Sequence, residues 1–271
     1  MGYYESLNLV REPFSTSPDP TFLYRSSAHN SVLKRLEIAI RLKRGLSVIL
    51  GDVGTGKTTL SRVLLQEFAN DDDFIFHMIL DPTYNSEFQF LETLVNIFGI
   101  TPNARTTHDY KEEIEKYLFK KGVDENKTIV LLVDEGQNLA ANYLEVLRTL
   151  LNYETNEYKL LQLVIMSQME LLPRIKRIKN FYDRIALKYI INPLDLNETE
   201  EMIVFRLQQA GFPKDRSLFN QDSIRIVFEQ SQGYPRKIAM ICHNALEELI
   251  IQDKKEVDRD IMTRVIKRED I

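Results

Sequence analysis

Eight residues, Gly51-Asp52-Val53-Gly54-Thr55-Gly56-Lys57-Thr58, constrain this chain more than any other stretch. Ahead of them Ser47-Val48-Ile49-Leu50 is apolar and partly β-branched, as in a buried strand, and residues 59–68 have the apolar spacing of a helix. A glycine-rich turn between a strand and a helix aims successive backbone N–H groups at one point, at the positive end of the helix. Anionic oxygens belong there. Gly51, Asp52, Val53, Gly54, Thr55, Gly56, Lys57, Thr58 and Thr59 are therefore read as the cradle of a nucleotide's phosphates. Lys57 adds a charge at the outer phosphates, and the Thr58 hydroxyl completes part of a Mg²⁺ shell. A turn that merely starts a helix does not need the full G-x-x-x-x-G-K-T pattern.

Magnesium in such a shell also needs a carboxylate. Val130-Leu131-Leu132-Val133 ends in Asp134-Glu135, which places Asp134 at the carboxyl end of a buried parallel strand, where ligands of open α/β sheets collect. Two acids after a strand are commonplace alone; their weight here comes from the pairing with the glycine-rich loop. Between the two motifs lie another apolar run, residues 74–81, a capping box at Ser86-Glu87-Phe88-Gln89, and a helical pattern over 108–121. A strand inserted between phosphate loop and acid pair is the plan of the P-loop branch that uses a catalytic glutamate. Glu135 then falls where it could orient the attacking water, a task of positioning more than of basicity. The alternative for Glu135 is a solvated acid at a strand end. Asn126-Lys127 opens a guanine-reading N-K-x-D, but Ile129 stands at its fourth position, so ATP is preferred over GTP.

Residues 138–154 read as one long helix and 160–166 as a further buried strand ending at Ser167-Gln168. Gln168 is either a sensor of the outer phosphate or a loop glutamine capping the next helix. An edge-like strand at 187–191 runs to Asn192-Pro193-Leu194-Asp195. Beyond it Asn197-Glu198-Thr199-Glu200 caps the first of four helical patterns, at 198–210, 223–230, 236–252 and 258–267, with turns at Gly211-Phe212-Pro213 and Gly233-Tyr234-Pro235. The expected fold is α/β, a three-layer αβα parallel sheet of the P-loop NTPase type with a small C-terminal helical lid. The expected domains are 1–194, with an N-terminal extension, and 195–271.

The chain of 271 residues, 44% apolar, has room for both cores. No window reaches the apolar length of a membrane helix, and Met1-Gly2-Tyr3-Tyr4-Glu5 does not open a signal peptide. The single cysteine, Cys242, sits in a helical run and reads as a core residue, and His29, His77, His108 and His243 lack metal-ligand spacing. A reducing cytoplasm fits both. A net charge of −5 advertises no nucleic acid, although Arg35, Arg41, Lys43 and Arg44, and again Arg174, Lys176, Arg177 and Lys179, form basic clusters.

These residues together resemble an AAA+ ATPase, and more narrowly the ATPase module of the ExeA or general secretion pathway protein A group. The narrower likeness is carried by Tyr4-Glu5-Ser6-Leu7-Asn8-Leu9, Glu12-Pro13-Phe14-Ser15, Ser17-Pro18-Asp19-Pro20-Thr21-Phe22-Leu23-Tyr24, Leu46-Ser47-Val48-Ile49-Leu50-Gly51, Asp134-Glu135-Gly136-Gln137-Asn138-Leu139, Gln162-Leu163-Val164-Ile165-Met166-Ser167-Gln168-Met169-Glu170-Leu171 and Gly233-Tyr234-Pro235-Arg236-Lys237-Ile238. It runs from about Tyr4 to Arg264, with Gly136 where the group usually has Ala and Ser167 where a Gly is common. The resemblance implies a homo-oligomeric ring or spiral with nucleotide sites shared between neighbours. Asp134 would bind Mg²⁺, Glu135 activate water, Gln168 sense the outer phosphate, and Arg236 act as a second sensor. Arg184 is the first choice for an arginine finger supplied by the next subunit, with Arg174 and Arg177 in reserve. The partners implied are proteins of a secretion or pilus system. Kinship with transposition ATPases makes an ATP-dependent DNA-binding regulator the alternative, with duplex DNA as the partner. Secretion members of the group usually continue into a transmembrane segment and a wall-binding module.

Overall fold

The apolar runs fold into five parallel strands, β1 (Leu46–Gly51), β2 (Phe74–Ile79), β3 (Thr128–Val133), β4 (Leu161–Ser167) and β5 (Ile185–Ile191), in the order β2-β3-β4-β1-β5. The computed structural model describes residues 3–101, 106–214 and 216–269. In β1, β3 and β4 every residue is buried, as near-continuous apolar runs demand of inner parallel strands, while the outer β2 and β5 are half-exposed. The helices are α1 (Tyr3–Ser6), α2 (Ser27–Arg41), α3 (Lys57–Glu67), α4 (Glu87–Ile97), α5 (Thr107–Phe119), α6 (Ala141–Leu150), α7 (Leu171–Arg177), α8 (Lys179–Tyr182), α9 (Leu196–Gln209), α10 (Gln221–Ser231), α11 (Pro235–Ile251) and α12 (Arg259–Glu269).

The chain divides into two compact units. Residues 28–52 and 60–191 form the sheet with its flanking helices. Its core joins Leu131, Leu163 and Ile165 of the inner strands to Leu91 and Leu147 of α4 and α6, all fully buried. Each such side chain contributes about 1.5–3 kcal/mol by leaving water. Gln162, the polar residue inside the β4 run, is satisfied on both sides: its Oε1 accepts from the Gly45 N–H at 2.8 Å and its Nε2 donates to the Lys159 carbonyl at 2.8 Å.

The other unit gathers the residues up to Ser27, the loop 53–59, and the chain from Asn192 onward. The opening segment drawn with the first domain on sequence is packed into this helical unit. Phe14 lies in one cluster with Leu194, Ile203, Val227, Cys242 and Leu246, and the Val10 N–H donates to the Ala210 carbonyl at 2.8 Å. Arg206 donates to the Ser15 carbonyl, and burial lowers its pKa to about 10. Cys242 is fully buried, which pushes its thiol pKa up, so it behaves as a small apolar residue.

Three local readings change. The helix expected at 138–154 is shorter: a 3₁₀ turn at Gly136–Asn138 and extended backbone at Leu139 and Ala140 precede α6. Glu154 then pairs with Lys159 in an isolated bridge. The cap of α9 is Asp195, whose side chain accepts from the Glu198 N–H while Glu198 reaches back, so the helix starts before Asn197. At α4 the Ser86 half of the capping box forms, but Gln89 accepts from the Asn85 N–H instead. Finally α2, which the sequence reading left unassigned, fills the stretch before β1.

Candidate active site

The strand inserted in sequence between the phosphate loop and the acid pair, β2, lies at the sheet edge; the strand between β1 and β3 is β4. All strands are parallel, so Gly51 at the end of β1, Asp134 after β3, and Ser167-Gln168 at the end of β4 stand along one edge of the sheet. This is the edge at which open α/β sheets place ligands.

The phosphate loop starts there. Gly54 and Gly56 adopt φ +85° and +90°, conformations an L side chain rarely takes, and they flank the buried Thr55. Such alternation turns consecutive N–H groups inward. Helix α3 begins at Lys57, so Thr58 and Thr59 sit in its first turn, where the helix dipole favours anions. Lys57 is buried at 8% exposure.

Arg236 belongs to the same unit as this loop. It is the second residue of α11, whose first N–H groups lack intrahelical partners and whose N-cap, Tyr234, supplies no side-chain bond. The Arg236 N–H donates instead to the Gly54 carbonyl at 3.2 Å, and a Cβ at Gly54 would fall 2.9 Å from the Arg236 Cβ. That contact is made by the backbone of Arg236, not by the guanidinium to which the resemblance gave a sensor role.

In the sheet unit, Asp134 is 2% exposed, and its Oδ1 accepts from the Glu135 N–H at 3.0 Å. Glu135 is left-handed (φ 50°, ψ 38°), a conformation costing a residue with a Cβ about 1–2 kcal/mol, and it caps the 3₁₀ turn. Strain of this kind persists only where the surroundings over-determine it. Here Gln137 donates to the Glu135 carboxylate. Asn138 donates to Asp81 Oδ1 at 3.0 Å, and Arg174 donates to the carbonyls of Gln137 and Leu139 at 2.8 and 2.6 Å. Bonds from Thr83 and Asn138 hold the Asp81 carboxyl below the ordinary carboxylate range. The Gln168 N–H donates to Gln137 Oε1 at 3.1 Å.

Gln137, a residue to which the sequence reading gave no role, therefore links the Glu135 carboxylate to the backbone N–H of Gln168, and Asp134 is joined to Glu135 by its own bond to the Glu135 N–H. A glutamine two places after a strand-end acid, inside a tight turn, was the available signal. Arg184 stands apart: its guanidinium donates to the Asn180 carbonyl at 2.7 Å and to Asn152 Oδ1 at 2.5 Å. Arg174 is held by backbone carbonyls of its own chain, and Arg177 is exposed on α7. Arg174→Ala is expected to lower stability by about 1.5–3 kcal/mol, since two carbonyls lose a charged donor. Urea unfolding checks this, and an unchanged midpoint would refute it.

Each of the two expected Mg²⁺ ligands has chemistry that suits the ion. A hydroxyl and one carboxylate, Thr58 and Asp134, are hard oxygen ligands of the sort Mg²⁺ combines with phosphates and waters. Among the described residues no cluster of three or more His, Cys, Asp or Glu side chains could hold a metal alone. No helix among them is long and apolar enough to cross a membrane.

Comparison with known proteins agrees with this geometry. The AAA domain family matches residues 40–175. General secretion pathway protein A of Aeromonas hydrophila is 32% identical over 246 residues, which cover 90% of this chain and 44% of that protein. Among solved structures, Cdc6p of Pyrobaculum aerophilum superposes with TM-score 0.71 at 16% identity, covering 96% of this chain and 71% of that one. Drosophila ORC bound to DNA gives 0.68 at 20%, covering 95% and 64%. At these identities the structural likeness speaks for the fold alone. With a family match over half its length, a full P-loop and a five-stranded parallel sheet flanked by helices, the chain belongs to the AAA+ family of P-loop nucleotide hydrolases and is similar to general secretion pathway protein A.

Proposed function

We propose that the chain hydrolyses ATP with Mg²⁺ inside a homo-oligomeric ring or spiral, and that turnover remodels or helps assemble a protein complex of secretion or pilus type. The observation that carries this is the Asp134–Glu135 turn, held in a strained conformation at the sheet edge where the phosphate loop begins. Lys57 and the loop N–H groups take the phosphates, and Thr58 and Asp134 take the metal. Glu135 orients water, Gln168 and Arg236 sense the outer phosphate, and Arg184 of a neighbour reaches the transition-state charge. A guanidinium suits that last task because it stays ionised and forks onto oxygens. Arg184 must exchange its Asn152 contact to do so. We further propose the division of labour drawn on sequence, an αβα nucleotide-binding part and a helical lid, and a cytoplasmic setting. The secretion-pathway relative supports the choice of partner, although the chain spans 44% of it.

The reading with duplex DNA as partner would draw on the basic clusters, in which Arg35, Arg44, Lys176, Arg177 and Lys179 are exposed while others are engaged within the chain. Arg41 pairs with Glu37 and Asp71 and lies over Phe68 and Phe74, Lys43 lies over Tyr158, and Arg174 caps backbone carbonyls. A phosphate-backbone track would therefore have to be built mainly from the exposed members.

A complementation experiment tests the shared site. Lys57→Ala and Arg184→Ala proteins should each release little phosphate from ATP, and their equimolar mixture should regain turnover, because one partner supplies an intact loop and the other an intact arginine. No recovery on mixing overturns the shared site. An ATP-dependent, salt-sensitive shift of duplex DNA by the wild-type chain would move the assignment to the alternative.

A further inference from the structure

The Glu135 turn is pinned to both neighbouring strand ends, and at the acid itself one side chain does the pinning. Gln137 Nε2 donates to Glu135 Oε2, while Gln137 Oε1 accepts from the Gln168 N–H at 3.1 Å and from the Ser167 hydroxyl at 3.4 Å. The partners fix the orientation of the amide. A carboxylate accepts and a backbone N–H donates, so the nitrogen faces Glu135 and the oxygen faces the end of β4. Gly136 makes the reach possible. A Cβ there would fall 2.4 Å from Ile165 Cγ2 and 3.2 Å from the Met166 carbonyl oxygen, so the turn lies hard against β4. The Arg174 guanidinium, on the Gln137 and Leu139 carbonyls, holds the backbone of Gln137 as firmly as its side chain is held.

We propose that Gln137 is a positioning residue, whose amide fixes the Glu135 carboxylate in one orientation and ties that orientation to the end of β4, where Gln168 stands. This rests on the reading of Glu135 as the water-orienting acid. An untied carboxylate would spread over several rotamers, and the attacking water would lose its line. Misplacing a catalytic group by about 1 Å slows a reaction by up to about a hundredfold. The effect falls on kcat rather than KM, because Gln137 holds neither phosphate nor metal.

The test is ATP hydrolysis by the full chain carrying Gln137→Leu or Gln137→Glu. Leucine removes both halves of the bridge; glutamate keeps an acceptor for Ser167 and Gln168 but removes the donor to Glu135. Both are expected to lose about tenfold to a hundredfold in kcat, with KM for ATP within about twofold. A wild-type rate in Gln137→Glu, or a rise in KM at constant kcat, overturns the proposal. A double-mutant cycle adds a readout that a purely structural role would not give. In a Glu135→Gln background, Gln137→Leu should cause no further loss, and a second proportional fall counts against it. A third arm needs no turnover. In ¹⁵N-labelled protein the Gln137 side-chain amide resonances should move on Glu135→Ala; if they stay put, the tie does not exist. Should the wild-type chain hydrolyse nothing, the functional reading fails while this arm still decides the tie.

Discussion

Glu135→Gln should bind ATP as firmly as the unaltered chain and release phosphate at least about a hundredfold more slowly, roughly 2.7 kcal/mol or more of transition-state stabilisation. The two halves of that expectation come from different parts of the molecule. On the proposed reading, affinity comes from the loop of Gly54, Gly56 and Lys57, where Gly54 and Gly56 take positive φ. On the same reading, rate comes from a carboxylate that aligns water and carries negative charge, and an amide of the same shape supplies neither fully. Folding should survive, because a glutamine carbonyl can still accept the bond from Gln137. A fluorescent ATP analogue measures binding, and a phosphate-release assay measures turnover. Turnover within about threefold of the unaltered chain would mean that another group aligns the water.

Gly233→Ala carries the largest expected cost in stability. Gly233 adopts φ +74°, and a Cβ there would fall 1.9 Å from the Leu194 carbonyl oxygen and 2.9 Å from its carbon. Both are backbone atoms, and the Leu194 N–H is itself bonded to the Gly233 carbonyl at 2.9 Å, so neither strand of this crossing can yield alone. Left-handed strain of about 1 kcal/mol and forced separation of about 1–3 kcal/mol or more add to roughly 4 kcal/mol. In a chain of this size that lowers the melting temperature by about 8–16 °C. Gly99→Ala is the matched control. It has φ +70° but nothing within 4 Å of the added carbon, so it should show the strain alone. Equal losses in the two variants would refute the crossing as the cause. Because Gly233 sets the entry into α11, Gly233→Ala should also weaken ATP binding through the displaced Arg236 N–H.

Sequence legibility divided along physical lines. The phosphate loop, the inner strands and the order of elements could be read because glycine spacing and apolar periodicity are local signals. Asp134 and Glu135 followed from the strand before them. The sheet order did not: nothing in residues 161–167 states that β4 pairs with both β1 and β3. The Gln137 bridge was equally silent, since its partners Glu135 and Gln168 meet only when two strand ends lie side by side. The long helix read at 138–154 failed for a related reason. Its apolar spacing is real from Ala141 on, but Arg174, distant in sequence, takes the Leu139 carbonyl and holds the chain extended before the helix starts. The role of Phe14 in the helical core likewise depends on residues nearly two hundred positions away.

That placement of Phe14 has a consequence for synthesis on the ribosome. The sheet unit ends at Ile191, so all of its strands can emerge and pair while the rest of the polypeptide is still being made. The helical body cannot close so early. Its opening residues are made before the sheet and its later helices after it, so the opening segment, with the Phe14 ring, must wait for α11 before it finds a shelter from water.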